Sequence, residues 1–148
     1  MKLTLFTDYA MRALLYLAGR PGRLSSIAEV AQAYDISQNH LMKVVNDLAR
    51  AGYIESVRGR GGGIRLGRNA ADINLGELVR HTEGGFDLVD CGNCIAAPAC
   101  KLTGVLKEAL GAFLAVLDRY SLADLAADPG QFEAIFDSSG AGWPRATG

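Results

Sequence analysis

The first fifty residues of the chain place apolar side chains at helical intervals. One set falls at positions i, i+3, i+4 and i+7 and consists of Ala10, Ala13, Leu14 and Leu17. This spacing lines one face of a helix with apolar side chains and leaves the opposite face polar. Thr7 is a suitable N-cap, and Asp8 lies in the first turn, where the helix dipole favours a negative charge. The stretch from Gly19 to Gly22, which contains Pro21, predicts the end of this helix.

Two more helices and a hairpin are predicted next. Ser26 and Glu29 have the spacing of a capping box and predict a short helix. Ser37 caps a third helix, which Gly52 ends. The apolar face of this third helix consists of Leu41, Val44, Val45 and Leu48. Two short β-prone runs then flank a loop of Arg and Gly in "YIESVRGRGGGIRL", which is a hairpin signal. This order of elements is typical of a winged helix-turn-helix, so we predict such a DNA-binding domain over residues 1–68.

Several polar side chains of the third helix and the hairpin are suited to contact DNA. Gln, Asn, His and Lys side chains hydrogen-bond base edges and phosphates in a major groove. Two arginines at the hairpin tip suit a minor groove or a phosphate group, since the neighbouring glycines let the backbone approach closely. The predicted DNA-contacting residues are Ser37, Gln38, Asn39, His40, Lys43, Arg58 and Arg60.

The second half of the chain predicts one short helix and one long helix. The short helix lies in "INLGELVRHTEG", within an effector segment of residues 69–102 that also contains a cysteine-rich loop. The long helix is predicted over residues 103–127. Its two apolar stripes are Leu106, Leu110, Phe113 and Leu117, and Val105, Ala109, Ala112 and Val116. Because these stripes are wider than one packing surface needs, we expect this helix to pair two subunits about a two-fold axis. Residues 128–148 end in small, polar, turn-forming residues, so a flexible tail is expected.

The predicted elements make the chain mainly α-helical with one small β-hairpin, and the distribution of charge favours DNA binding. Residues 1–68 hold ten Lys and Arg against five Asp and Glu, whereas residues 69–148 hold five against eleven. A basic first half suggests a module that binds a polyanion such as promoter DNA. No apolar run approaches the roughly 18 residues that span a bilayer, and the N-terminus lacks the pattern of a secretory signal. A cytoplasmic protein without a membrane partner is therefore expected. Two histidines and no acid–base pair do not predict an enzyme.

All three cysteines of the 148-residue chain lie within "DCGNCIAAPAC", as Cys91, Cys94 and Cys100. Free cysteines usually pack as small apolar residues, but this segment has neither helical nor strand periodicity, which favours metal or cluster binding. A structural zinc site takes four protein ligands, typically in two pairs. An iron–sulfur cluster on three thiolates and one other ligand is the alternative. His40, His81 or a carboxylate are candidates for that fourth ligand. A small electron carrier and a zinc-stabilised interaction module are further function classes that such a loop leaves open.

Three stretches of the sequence resemble the Rrf2 family of bacterial winged-helix regulators, namely "FTDYAMRALLYLA", "ISQNHLMKVVNDLARAGYIESVRGRGGGIRL" and "CIAAPACKL". Within the family they are most similar to the nitric-oxide-sensing iron–sulfur repressors. The resemblance covers about residues 1–125. It implies a homodimer with an iron–sulfur cluster on Cys91, Cys94 and Cys100 of each subunit, 4Fe–4S as the first choice and 2Fe–2S as the second. It also implies that Asp8 of the partner subunit completes the ligation.

The resemblance implies a function and leaves one alternative within the family. A repressor of this type releases its DNA when nitric oxide reacts with the cluster. A regulator that responds to iron or to cluster status is the alternative. This chain departs from the nitric-oxide-sensing pattern at Cys91 and Cys94, which are separated by only two residues. In the cluster-status type a histidine ligand stands at the position of Thr103, and the threonine here counts against that ligation.

Overall fold

The computed structural model describes residues 1–138 and shows a mainly helical chain with one antiparallel hairpin, which confirms the predicted fold class. Its elements are α1 (Leu5–Ala18), α2 (Ile27–Tyr34), α3 (Gln38–Arg50), β1 (Ile54–Val57), β2 (Gly63–Leu66), a 3₁₀ turn (Ala70–Asp72), α4 (Leu75–Thr82), α5 (Leu102–Leu117), α6 (Leu122–Leu125) and α7 (Pro129–Ser138). None of the helices over residues 1–138 is both long enough and apolar enough to cross a bilayer.

Helices α1, α2 and α3 pack with the hairpin around one apolar core. The predicted apolar faces of α1 and α3 are buried there, and their largest members are Leu14, Leu41 and Leu48. Ser26 and Glu29 form the predicted capping box at the start of α2. The Ser37 hydroxyl accepts a hydrogen bond of 3.3 Å from the His40 N–H at the start of α3. Both caps join residues three positions apart, so the starts of α2 and α3 follow from local sequence.

The hairpin is anchored to the segment that leads into α2. Ser25 N–H donates to the Ile64 carbonyl at 3.0 Å, and Ile64 N–H donates to the Ser25 carbonyl at 2.8 Å. A Cβ atom at Gly63 would lie 2.7 Å from the Ser25 carbonyl oxygen, a distance that a side chain does not tolerate. Glycine at this position therefore lets the two backbones meet and holds the base of the wing on the DNA-binding domain.

Helix α1 begins earlier than the sequence predicted. Thr4, rather than Thr7, is the N-cap, and its hydroxyl accepts a hydrogen bond of 3.3 Å from the Thr7 N–H. Thr7 lies fully buried inside the first turn, and its hydroxyl oxygen lies 2.8 Å from the hydroxyl oxygen of Thr82. The prediction of Thr7 as the cap was wrong because the partner of its side chain lies 75 residues away, at the end of α4.

The predicted helix over residues 103–127 is divided into α5 and α6. Helix α5 ends at Leu117, and Ser121 and Asp124 form a capping box that begins α6. The turn between them is held by Asp118, whose carboxylate accepts from both terminal nitrogens of Arg80 at 2.5 and 2.9 Å. The chain therefore folds back, and Leu122 enters the core beside α1. Within one chain no residue of α5 is buried.

The expected flexible tail over residues 128–148 is replaced in part by a helix. Helix α7 packs on the DNA-binding domain, where Phe136 lies against Tyr16 and Tyr34 with ring centroids 4.8 and 5.3 Å away. Asp137 accepts a hydrogen bond of 2.9 Å from the buried guanidinium of Arg20. Aromatic burial and an ion pair therefore order residues that composition alone assigned to a tail. The remainder of that predicted tail, residues 139–148, lies outside the described residues.

Candidate functional site

The exposed face of α3 carries most of the side chains predicted to contact DNA. Gln38, Asn39 and Lys43 are exposed, since the apolar residues between them fix the opposite face of α3 in the core. Ser37 is also exposed, but its hydroxyl already caps α3. In this structure the Ser37 hydroxyl therefore fixes the start of α3. A contact of Ser37 with a DNA phosphate would come in addition to this capping role. The first turns of α3 therefore present polar donors and acceptors to solvent, as a DNA-contacting helix requires.

The hairpin tip presents two exposed arginines, Arg58 and Arg60. Gly59 and Gly61 flank Arg60 with φ angles of +97° and +69°, in the left-handed region that side chains other than glycine rarely adopt. The turn thereby carries Arg60 at its apex. Behind the tip, Arg65 donates to Glu55 at 2.9 Å across the two strands, which neutralises the charge of Arg65 within the wing. The wing thus offers positive charge at its tip, and arginine is a common phosphate contact in protein–DNA complexes.

His40 has a contact that its sequence pattern does not reveal. Its ring packs against Tyr9 of α1 with ring centroids 4.8 Å apart, so the side chain is half-buried rather than fully turned to solvent. Tyr9 directly follows Asp8 in the sequence. The structure therefore connects the start of α1 to the first turn of α3 through two rings in tilted contact.

The cysteines lie on a surface loop between α4 and α5, and none of them forms a disulfide. Cys91 is half-buried, whereas Cys94 and Cys100 are exposed. Consecutive turns shape the loop, with Cys94 N–H donating to the Cys91 carbonyl at 3.3 Å and Cys100 N–H to the Ala96 carbonyl at 2.9 Å. The Cys91 sulfur lies 3.4 Å from the Thr103 hydroxyl. The Cys100 sulfur accepts a hydrogen bond of 3.4 Å from the backbone N–H of Leu102.

The donor set of this loop suits a soft metal centre. Three free sulfurs within ten residues match the thiolate ligation of zinc and of iron–sulfur clusters. Across residues 1–138 of a single chain, however, no three His, Cys, Asp or Glu side chains lie close enough to hold a metal ion. The cysteines still fit such a group by their chemistry, because all three are free thiols that are exposed or half-buried.

The two candidates for a fourth ligand lie in different surroundings. Asp8 is in the first turn of α1 and accepts a hydrogen bond of 3.0 Å from Arg12, with both side chains 40% exposed. His81 lies at the end of α4 and contacts Asp47 of α3, with 2.7 Å between its Nε2 and the carboxylate oxygen. The structure thus uses His81 to join α4 to α3, while the carboxylate of Asp8 stays open to solvent.

A polar cluster between α1 and α4 was not apparent in the sequence. Glu83 accepts hydrogen bonds from the Thr4 N–H at 2.9 Å, the Thr4 hydroxyl at 3.0 Å and the Thr7 hydroxyl at 2.5 Å. Burial raises the pKa of the Glu83 carboxyl, but the bonds from Thr7 and Thr4 outweigh it, so the pKa lies below its ordinary value of 4.5. A carboxylate at the end of α4 therefore holds the N-terminus of α1, where it also complements the helix dipole.

A polar third helix in a helix-turn-helix and an arginine-tipped wing define a winged-helix transcriptional regulator. The chain belongs to the Rrf2 family, since a family model described as an iron-dependent transcriptional regulator matches residues 3–128. It is similar to the HTH-type transcriptional regulator NsrR of Bacillus subtilis strain 168, with 55% identity over 131 residues that cover 84% of this chain and 90% of that protein.

Solved structures agree with this assignment. CymR of B. subtilis, described as its global cysteine regulator, has a TM-score of 0.68 and 28% identity, covering 86% of this chain and 97% of that chain. IscR of T. potens shares the fold, with a TM-score of 0.71 and 24% identity over 99% of this chain and 94% of that chain. The chain is therefore a transcriptional regulator of the NsrR type and not an enzyme.

Proposed function

We propose that this protein is a homodimeric repressor that binds promoter DNA and senses nitric oxide through an iron–sulfur cluster on Cys91, Cys94 and Cys100. The observation that carries the proposal is the set of three free thiols on one surface loop, next to the start of α5. The similarity to NsrR over 84% of the chain supports it. Because its target is promoter DNA, the protein acts in the cytoplasm.

Two subunits would present two copies of α3 to a two-fold symmetric site. Helix α5 is the surface that supports such a dimer. It is rich in apolar residues yet buries none of them within one chain, and Leu102, Val105 and Val116 are among the exposed ones. Pairing α5 with its copy would bury these side chains. Arg58 and Arg60 of each wing would then contact phosphates beside the groove that α3 enters.

The cluster, 4Fe–4S as the first choice and 2Fe–2S as the second, would supply iron centres that react with nitric oxide. Asp8 of the partner subunit would be the fourth ligand, because a half-exposed carboxylate can exchange its bond to Arg12. Asp8 precedes Tyr9, and Tyr9 packs on His40 at the start of α3. A displacement of the first turn of α1 would therefore move α3. A coupling of about 1 to 3 kcal/mol changes DNA affinity by roughly 5- to 150-fold, which is enough for a switch.

The test is an absorbance spectrum of anaerobically purified protein with iron and sulfide analysis, combined with promoter binding during titration with nitric oxide. We expect a coloured protein that loses DNA affinity as nitric oxide is added. Cys94→Ala should lose the chromophore and remain folded. Asp8→Ala should keep a cluster and respond differently to nitric oxide. Colourless, iron-free protein that binds its promoter as tightly as reconstituted protein would reject the proposal.

The same titration separates the alternatives. Release of DNA by an iron chelator, but not by nitric oxide, would identify a regulator of iron or cluster status. Colourless protein that contains zinc would identify a zinc-stabilised interaction module. Reversible redox cycling without DNA affinity would identify an electron carrier.

A further inference from the structure

We propose that Thr103 is a positioning residue for the cysteine loop: its hydroxyl donates a hydrogen bond to the Cys91 sulfur and orients this sulfur as a cluster ligand. The inference rests on the proposed function, because it concerns how the cluster-binding thiolates are held. It adds Thr103 to the residues that shape the cluster site, which are otherwise the three cysteines and Asp8. It also gives the first turn of α5 a second role besides the pairing of subunits.

The first turn of α5 contacts both ends of the cysteine loop. The Thr103 hydroxyl oxygen lies 3.4 Å from the Cys91 sulfur, across twelve positions of sequence. The neighbouring backbone N–H of Leu102 donates to the Cys100 sulfur, also at 3.4 Å. Two consecutive residues of one helix turn therefore meet the first and the last cysteine. A rigid helix end thus fixes the two sulfurs relative to each other.

The direction of the bond from Thr103 follows from the chemistry of ligation. In the free thiol either the sulfur or the hydroxyl oxygen can be the donor. A cysteine that ligates a metal is a thiolate, which has no proton to donate. Once Cys91 is a ligand, the Thr103 hydroxyl must therefore be the donor. Hydrogen bonds to ligand sulfurs orient the ligand and tune the cluster that it holds.

Cys91 is the cysteine that most needs such a constraint. Only two residues separate it from Cys94, and the two are joined by a tight turn with a backbone hydrogen bond of 3.3 Å. The turn fixes the backbone of Cys91 but leaves its side-chain torsion free to point the sulfur elsewhere. Cys91 is also the half-buried member of the three, and its sulfur contacts the Thr103 hydroxyl. The Thr103 hydroxyl thereby selects one sulfur direction.

The test compares Thr103→Val, which keeps the shape and removes the hydroxyl, with Thr103→Ser, which keeps the hydroxyl. Both proteins are purified anaerobically with their cluster and compared with wild type by resonance Raman spectroscopy of the iron–sulfur stretching modes and by the rate of iron loss to a chelator. We expect Thr103→Val to shift the iron–cysteine stretching modes and to lose iron about 10- to 100-fold faster, the usual cost of removing a bond to a ligand. Thr103→Ser should retain the wild-type spectrum and rate.

The outcomes separate this inference from the proposed function. Iron–sulfur modes in Thr103→Val that match those of wild type would overturn the inference alone and leave the cluster assigned to the cysteines. Equal changes in the Val and Ser variants would also overturn it, since the effect would then come from altered packing. A wild-type protein without a cluster would overturn both the function and the inference.

Discussion

The rings of Tyr9 and His40 pack together with centroids 4.8 Å apart, which joins the first turn of α1 to the first turn of α3. Asp8 precedes Tyr9 in the sequence, and Glu83 holds the residues before it through Thr4 and Thr7. The start of α1 therefore contacts both the effector segment and the DNA-contacting helix. A displacement of this turn would reach α3 through the direct contact between these two rings.

Tyr9→Leu should weaken promoter binding. An aromatic pair of this kind contributes about 0.5 to 1.5 kcal/mol to stability, beyond the free energy gained by burying the two rings. Its loss lets α3 shift, so we expect DNA affinity to fall by about 2- to 12-fold, measured by fluorescence anisotropy with labelled promoter DNA. Tyr9→Phe keeps the ring and should bind as wild type does. Equal affinities for Tyr9→Leu and wild type would show that the ring pair does not hold α3.

Glu83→Gln should lower stability in a pH-dependent way. Because the pKa of Glu83 is below 4.5 in the folded chain, its carboxylate adds stability above that pH and loses this contribution as the pH falls through the folded-state value. Hydrogen bonds to a charged group are worth about 1 to 3 kcal/mol, so the variant should lose about that much free energy of unfolding at pH 7. Urea denaturation at pH 7 and at pH 3 measures the effect.

The difference between Glu83→Gln and wild type should shrink as the pH falls through the folded-state pKa of the Glu83 carboxyl, because protonation removes its charge. Glu108→Gln removes an exposed carboxylate of α5 and is the matched control, with little effect expected at either pH. A deficit in Glu83→Gln that is the same at both pH values would contradict a role for the charge.

Gly76→Ala should disturb the junction of α4 and α5. A Cβ atom at this buried position would overlap the carboxylate of Asp118 and lie 2.9 Å from an Arg80 nitrogen. Because these atoms are the far ends of flexible, exposed side chains, they can move aside, and the substitution should lower stability in chemical denaturation only slightly, through the disturbed ion pair. Adding Asp118→Ala removes the overlapping carboxylate, so the second substitution should cost less in the Gly76→Ala background than in wild type. Strictly additive effects would show that the two residues do not compete for space.

Phe136→Ala should destabilise the DNA-binding domain, although Phe136 lies far from that domain in the sequence. The Phe136 ring contacts Tyr16 and Tyr34 and is half-buried. Burial of a whole Phe side chain is worth about 3 to 5 kcal/mol, so we expect a loss of about 1 to 3 kcal/mol in thermal or chemical unfolding. Ile135→Ala, on the 42% exposed neighbour, should change stability by no more than about 0.5 kcal/mol. Equal effects of the two substitutions would mean that α7 does not pack as described.

Arg60→Ala should weaken DNA binding on all sequences and reduce its salt dependence. A phosphate contact releases counterions, so its loss lowers the slope of log affinity against log salt by about 1. Titrations between low and moderate salt measure this slope. Arg119→Ala removes an exposed arginine after α5 and should leave the salt slope of DNA binding unchanged. An unchanged slope for Arg60→Ala would remove the wing tip from the phosphate contacts.

Most of the DNA-binding domain could be predicted because its signals are local. The buried faces of α1 and α3 follow from apolar spacing over eight residues, and the caps at Ser26 and Ser37 act over three. The end of α5 was missed because its turn depends on Arg80, 38 positions before Asp118. Helix α7 was missed for the same reason, since its ordering contacts lie on α1 and α2.

The sequence by itself determined the helices and hairpin of the DNA-binding domain, the polar and basic residue types of α3 and the wing, and the clustering of three cysteines, because each is a property of neighbouring positions. Only the tertiary structure decided that Glu83 accepts hydrogen bonds from Thr4 and Thr7, that His40 lies on Tyr9 and that Thr103 contacts Cys91. Hydrogen bonds and ring contacts have ranges of a few ångströms, and whether two distant residues come that close depends on how the whole chain packs.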